Sequence, residues 1–93
     1  MTDAELLIEV KNRIGVTGSY QDNTISGHIQ DVKDFMVDAG VSDAIMETTK
    51  IIGAVTRGVS DLWDYGSGKG EFSAYFFQRV SQLCYVNDED EEA

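Results

Sequence analysis

The chain has 93 residues, 42% of them hydrophobic and 26% charged, so one small globular domain is expected. Seven basic residues stand against 17 acidic ones, a formal net charge of −10 that repels nucleic-acid phosphates and anionic lipid surfaces. Proline is absent and cysteine occurs once, which favours uninterrupted helices and excludes an intramolecular disulfide or a cysteine metal cluster.

The first element is predicted over residues 3–14. Its opening "TDAE" has the form of a capping box, in which Thr2 and Glu5 each satisfy a backbone N–H of the other. Leu6, Leu7, Val10 and Ile14 then share one helical face, and Gly15 and Gly18 punctuate its end. Residues 16–21, "VTGSYQ", form a loop. Asp22 or Asn23 then offers the N-cap of a second helix. Ile25, Ile29, Val32, Phe35, Met36 and Ala39 keep helical spacing as far as Gly40, which suits a left-handed stop.

A third helix is predicted from Ser42 to about Tyr65. Ile45, Ile52, Val55, Val59 and Leu62 form its stripe, which Ile51 and Trp63 widen. Gly53 and Gly58 fall inside it, each at a cost of about 0.5–1 kcal/mol relative to alanine. A close approach by another helix is one way to offset that cost. After the glycine-rich "DLWDYGSGKGEFS", Ser73 caps a fourth helix that carries Tyr75, Phe76, Val80, Leu83 and Cys84. Asp88, Glu89, Asp90, Glu91 and Glu92 close the sequence as an acidic run. Runs of this kind are solvated and disordered, and without it the body still carries about −5. The expected fold class is therefore all-α: a bundle of about four helices over residues 1–86, with a disordered acidic tail over 87–93. An apolar stretch long enough for a signal peptide or a membrane span is lacking, so a soluble, cytosolic protein is expected.

The segment 61–73 raises the sharpest chemical question. A phosphate-binding loop needs glycine, four residues, then Gly-Lys and Ser or Thr. Gly68 and Lys69 supply the pair, but Trp63 stands where the first glycine belongs and Gly70 where the hydroxyl belongs. The stretch also follows a helix rather than a strand. The simpler reading ends the helix at Tyr65, gives Gly66 the left-handed stop and makes 67–72 a flexible turn. His28 is the sole histidine and has no second imidazole to work with. Cys84 has no basic neighbour to activate its thiol and reads as a packing residue. Asp61 and Asp64 share a helical face with Arg57 four residues before Asp61, which reads as a surface ion pair. No catalytic constellation, metal site or cofactor site is expected.

The segments "GSYQDNTISGHIQDVKDFM" (18–36) and "RGVSDLWDYGSGKGEFSAYFFQRV" (57–80) carry a resemblance. With the residues around them, from about Ala4 to Leu83, they resemble the small head–tail connector proteins, also described as DNA-packaging proteins, of long-tailed bacteriophages. Members often carry proline after the capping serine where this chain has Ala74, a change that leaves the cap intact. The resemblance implies an all-α adaptor that forms a dodecameric ring beneath the portal of the filled head. It implies a place in the virion at the head–tail junction after synthesis in the host cytoplasm. The implied partners are further copies of the chain, the portal protein, and a tail or stopper protein. Packaged DNA passes through without sequence-specific binding, and no membrane or enzymatic chemistry is implied. An acidic channel wall would suit that passage, since it repels phosphates and lets the duplex slide.

Aromatic residues beside flexible polar positions suit an interface. The expected contact surface is therefore Trp63, Asp64, Tyr65, Gly66, Ser67, Gly68, Lys69, Gly70 and Phe72, set against a helix face of the next copy. The competing expectation is that Trp63 and Phe72 complete the core of the monomer. A different class of function, an acidic DNA mimic that inhibits a host DNA-binding protein, also fits the size and the charge.

Overall fold

A computed structural model describes residues 1–63 and 70–86; the segments 64–69 and 87–93, including the expected acidic tail, lie outside the described residues. The described residues are all-α and contain no strand: α1 (Asp3–Ile14), α2 (Asp22–Ala39), the short α3 (Asp43–Met46), a 3-10 turn (Thr49–Ile51), α4 (Ile52–Leu62) and α5 (Ala74–Cys84).

Helix α1 begins at the capping box read from the sequence. Glu5 N–H donates to Thr2 Oγ1 at 3.1 Å, and Thr2 N–H donates to Glu5 Oε1 at 2.8 Å. The Thr2 backbone N–H, helped by the Thr2 hydroxyl and the terminal ammonium, holds the Glu5 carboxyl below its ordinary value of 4.5. A depressed folded value stabilises the native state at pH above the unfolded value. That contribution is full above about pH 4.5 and is lost as the pH falls through the lowered folded value. Glu5→Gln should therefore flatten the acid limb of the stability curve, measured by thermal melts between about pH 2 and 6. An unchanged limb would show that the box contributes nothing to acid stability.

The start of α2 differs from the expectation. Gln21 occupies the cap position and makes no side-chain capping bond. Asp22 instead forms an ion pair with Lys11 at 2.6 Å, and the Lys11 ammonium also donates to the Gly18 carbonyl. One lysine at the end of α1 thus clamps the whole 15–21 connection, and the tertiary ion pair takes the carboxylate that local capping would use. The end of α2 is as expected. Gly40 is left-handed at φ 111°, and its N–H returns to Met36 and Val37.

The long third helix is two helices. Ser42 caps α3 by accepting from Ile45 N–H, but α3 stops at Met46. Thr48 is extended, its hydroxyl donates to the Ile45 carbonyl at 2.7 Å, and its Oγ1 accepts from Lys50 N–H at 3.2 Å. One threonine closes one helix and caps the next turn, the local competition that makes such residues helix boundaries. The seven-residue step from Ile45 to Ile52 keeps helical phase, so only the threonines at 48 and 49 hint at the break in the sequence. Helix α4 also ends early, at Leu62, because Trp63 is extended at φ −89° and ψ 111°. In a continued helix, position 63 would lie about 100° from the centre of the buried stripe. The extended backbone places the indole in the core instead, with 6% exposure. The expected Gly66 stop lies outside the described residues.

Helix α4 is the centre of the bundle and packs against α1, α2 and α5. The core combines Leu6 and Val10 of α1, Ile25, Ile29, Val32 and Met36 of α2, and Val55 and Val59 of α4. Phe76, Val80 and Leu83 of α5 complete it. Gly58 is buried between α2 and α5, where an added Cβ would stand 2.8 Å from both Phe76 Cε1 and Val32 Cγ2. Glycine is required there by close helix approach. Gly53, the other helical glycine, has nothing within 4 Å of a built Cβ.

Candidate interaction surface

Asp61 joins the end of α4 to Gly70 and Ser73, the residues that lead into α5. This carboxylate is buried at 8% exposure on the last turn of α4. Its Oδ2 accepts from the Ser73 backbone N–H at 2.9 Å and from the Ser73 hydroxyl at 2.8 Å. The Asp61 carbonyl accepts from Gly70 N–H at 2.9 Å, with Gly70 left-handed at φ 76°. Arg57 Nε faces Asp61 Oδ1 at 3.2 Å and the Ser73 Oγ at 3.2 Å, and the guanidinium lies 5.6 Å from the Tyr75 ring centre. Ser73 Oγ in turn accepts from Phe76 N–H, capping α5.

The Arg57–Asp61 pair is therefore more than the surface pair that spacing suggests: a half-exposed arginine meets a buried carboxylate, and together with Ser73 they form a lock that ties the end of α4 to the start of α5. Asp61 and Ser73 are twelve residues apart, and no local pattern joins them. The Ser73 hydroxyl resembles half of a nucleophilic pair only superficially. Its proton points to Asp61 and its oxygen is taken up by Phe76 N–H and Arg57 Nε, so the group is a structural cap.

Beside the lock, all four phenylalanines of the chain meet. Phe72 stacks on Phe76 with ring centres 4.3 Å apart. Phe35 of α2 lies 5.0 Å from Phe72 and 5.6 Å from both Phe76 and Phe77. Phe77 completes the group at 5.9 Å from Phe76. These separations are those of favourable aromatic pairs. The cluster grades outward, from fully buried Phe76 through partly buried Phe35 and Phe72 to Phe77, which is 46% exposed. Tyr75, on the other flank of α5, is 61% exposed.

Of the residues expected at the contact surface, Trp63 is a core residue and Phe72 packs onto the core through Phe76 and Phe35. Gly70 is exposed at the base of the segment. Asp64, Tyr65, Gly66, Ser67, Gly68 and Lys69 lie outside the described residues. Sequence reading did not single out Phe77, whose signal was the doubled phenylalanine at 76–77: two adjacent helical positions cannot both face the core.

The remaining candidates are dispersed. His28 is half-buried on α2. Cys84 is partly buried, with its Sγ 3.4 Å from the Ala39 carbonyl at the far end of α5. Among the described residues, no three histidine, cysteine or acidic side chains are grouped as metal ligands, and no helix is long and apolar enough to cross a membrane. The chain matches no protein-family model, and no curated protein or solved structure is significantly similar to it.

Proposed function

We propose that this protein is a structural adaptor of a long-tailed bacteriophage. It assembles as a ring below the portal, extends the DNA channel and docks the next head-completion or tail protein. The observation that carries the reading is the phenylalanine cluster. It is a graded aromatic surface at the α2–α5 edge, next to the segment that the resemblance singles out. The two stretches that carry the resemblance, 18–36 and 57–80, supply all four of its rings, Phe35 from one and Phe72, Phe76 and Phe77 from the other. They meet again where Val32 packs on Gly58. A partly exposed aromatic anchor at the edge of a well-packed core is the kind of residue on which interfaces concentrate their affinity.

The test is electron microscopy with light scattering over a concentration series, followed by binding to portal-bearing heads. Rings with a central hole are the expected result. Monomers that also fail to bind such heads would exclude the reading. Within it, Phe77→Ala should abolish assembly while the melting temperature shifts by only a few degrees, roughly the effect of about 1 kcal/mol in a domain of this size. Phe72→Ala and the double change Tyr65→Ala with Phe72→Ala should lower stability as well, because Phe72 stacks on the core. Equal assembly by Phe77→Ala and wild type would remove the cluster from the interface.

One observation favours the DNA-mimic reading: Asp31, Asp34 and Asp38 form an exposed row along α2. Seven residues of helix span about 10 Å, or about three base pairs along one strand. That row is too short to stand in for a protein-binding site on DNA. A mimic that depends instead on its terminal charges should lose inhibition when residues 87–93 are removed, whereas ring assembly should tolerate the loss.

A further inference from the structure

We infer that the cleft between α1 and α4 receives the acidic row of α2 from a second copy of the chain. The inference rests on the ring reading and adds a charged contact to the aromatic one proposed at the α2–α5 edge. The cleft has a volume of about 270 Å3 and is lined by Arg13, Ile14, Gly53, Thr56, Arg57 and Ser60. It gathers two of the seven basic residues of a strongly acidic chain. Both arginine side chains are about half exposed, at 52% for Arg13 and 47% for Arg57. The only ion pair of Arg13 among the described residues is a loose one, 3.9 Å from Glu9. Thr56 Oγ1 is buried on the cleft wall without a hydrogen-bond partner, and Gly53 leaves open space where a side chain would stand. The Arg13 guanidinium and the Ser60 hydroxyl at the gap are donors that suit carboxylates, and the half-exposed Arg57 adds its positive charge beside them.

The matching acceptors lie on α2. Asp31, Asp34 and Asp38 are exposed and fall on one strip of helix. None of the ion pairs among the described residues involves them. The last turn of α2 holds no basic residue, so Asp38 also opposes the helix dipole. The domain thus carries an acidic row with no ion pair among the described residues, its Asp34 held only by Gln30 Nε2 at 3.0 Å, and a cleft in which Arg57 is held by the lock while Arg13 is only loosely paired. They cannot meet within one copy. Gly58 turns towards Val32 of α2, positions 53 and 60 lie on the opposite side of α4, and Arg57 lies on the flank between. On α2 the three aspartates lie opposite Ile25, Ile29, Val32 and Met36, which face the core. The two charged faces therefore point away from each other across the α2–α4 packing. Two different complementary faces on opposite sides make a head-to-tail contact, the kind that closes into rings.

The experiment is sedimentation velocity on the full chain with two charge-reversed variants. Arg13→Glu with Gly53→Glu reverses the cleft and leaves the Arg57–Asp61–Ser73 lock untouched. Asp31→Lys with Asp34→Lys and Asp38→Lys reverses the row at exposed positions. Each variant alone should associate about 100-fold more weakly than wild type, as expected where like charges face each other. An equal mixture should recover association, because every junction then joins opposite charges. Wild-type association should weaken as salt rises from about 0.05 to 0.5 M. Circular dichroism confirms that both variants fold, and Arg13→Ala serves as the milder cleft variant. The docking is overturned if either variant alone associates like wild type, or if the mixture does not recover. Wild type that is monomeric up to about 1 mM also overturns it. Rings that survive both reversals would overturn the docking while upholding the ring reading. The ring reading falls separately, on failure of the wild type to bind portal-bearing heads.

Discussion

Gly58→Val should destabilise the domain by about 2–3 kcal/mol and lower its melting temperature by about 10 °C or more. The added Cβ alone would stand 2.8 Å from Phe76 Cε1 and 2.8 and 2.9 Å from the two Val32 methyls. Those neighbours are fully buried on α5 and α2, so neither can move without disturbing the core. Two further methyl groups deepen the clash. Gly58→Ala should already cost about 1–2 kcal/mol net, because overpacking outweighs the gain in helix propensity. Gly53→Ala is the control. It sits in the same helix with open space around it and should stabilise by about 0.5–1 kcal/mol. Thermal and urea melts of the three variants check the prediction. Equal effects at 53 and 58 would show that α2 and α5 do not approach α4 as closely as this packing requires.

Asp61→Ala should cost about 2–3 kcal/mol, because hydrogen bonds to a charged acceptor are the stronger ones and Ser73 N–H would be left unpaired. Asp61→Asn keeps one acceptor oxygen and should cost roughly half as much. The change acts on a particular place. Asp61 holds Gly70 and Ser73, so its loss should release the base of the 61–73 segment before the rest of the bundle. Trp63 is the sole tryptophan and is buried beside that base, which makes its fluorescence a local reporter. In urea its emission should shift to the red ahead of the loss of helical circular dichroism in Asp61→Ala, whereas both change together in the wild type. Within the adaptor reading, the same variant should assemble poorly although it folds. An Asp61→Ala protein as stable as Asp31→Ala, which changes an exposed and unpaired aspartate, would mean that the lock contributes nothing.

The parts of this fold that were legible in the sequence depend on neighbours within one or two helical turns. The Thr2–Glu5 box, the Gly40 stop, the Ser42 and Ser73 caps and the stripes of α1, α2 and α5 need only local spacing and backbone chemistry. The break in the third helix was less legible. The isoleucine spacing on both sides continues one helical phase, while Thr48 uses its side chain to interrupt the backbone bonds. The N-cap of α2 was misread because the Asp22 carboxylate is taken by Lys11, eleven residues earlier.

Amino-acid order by itself determined that the chain is helical, where most helices start and stop, and that its surface is acidic. Hydrophobic period, capping residues and net charge are properties of single segments. Only the tertiary structure decided what Asp61 does, which glycine is indispensable, that four phenylalanines form one cluster, and that arginines and aspartates occupy opposite faces. Each of these depends on which helices pack together and how closely, and no residue pattern within one helix carries that information.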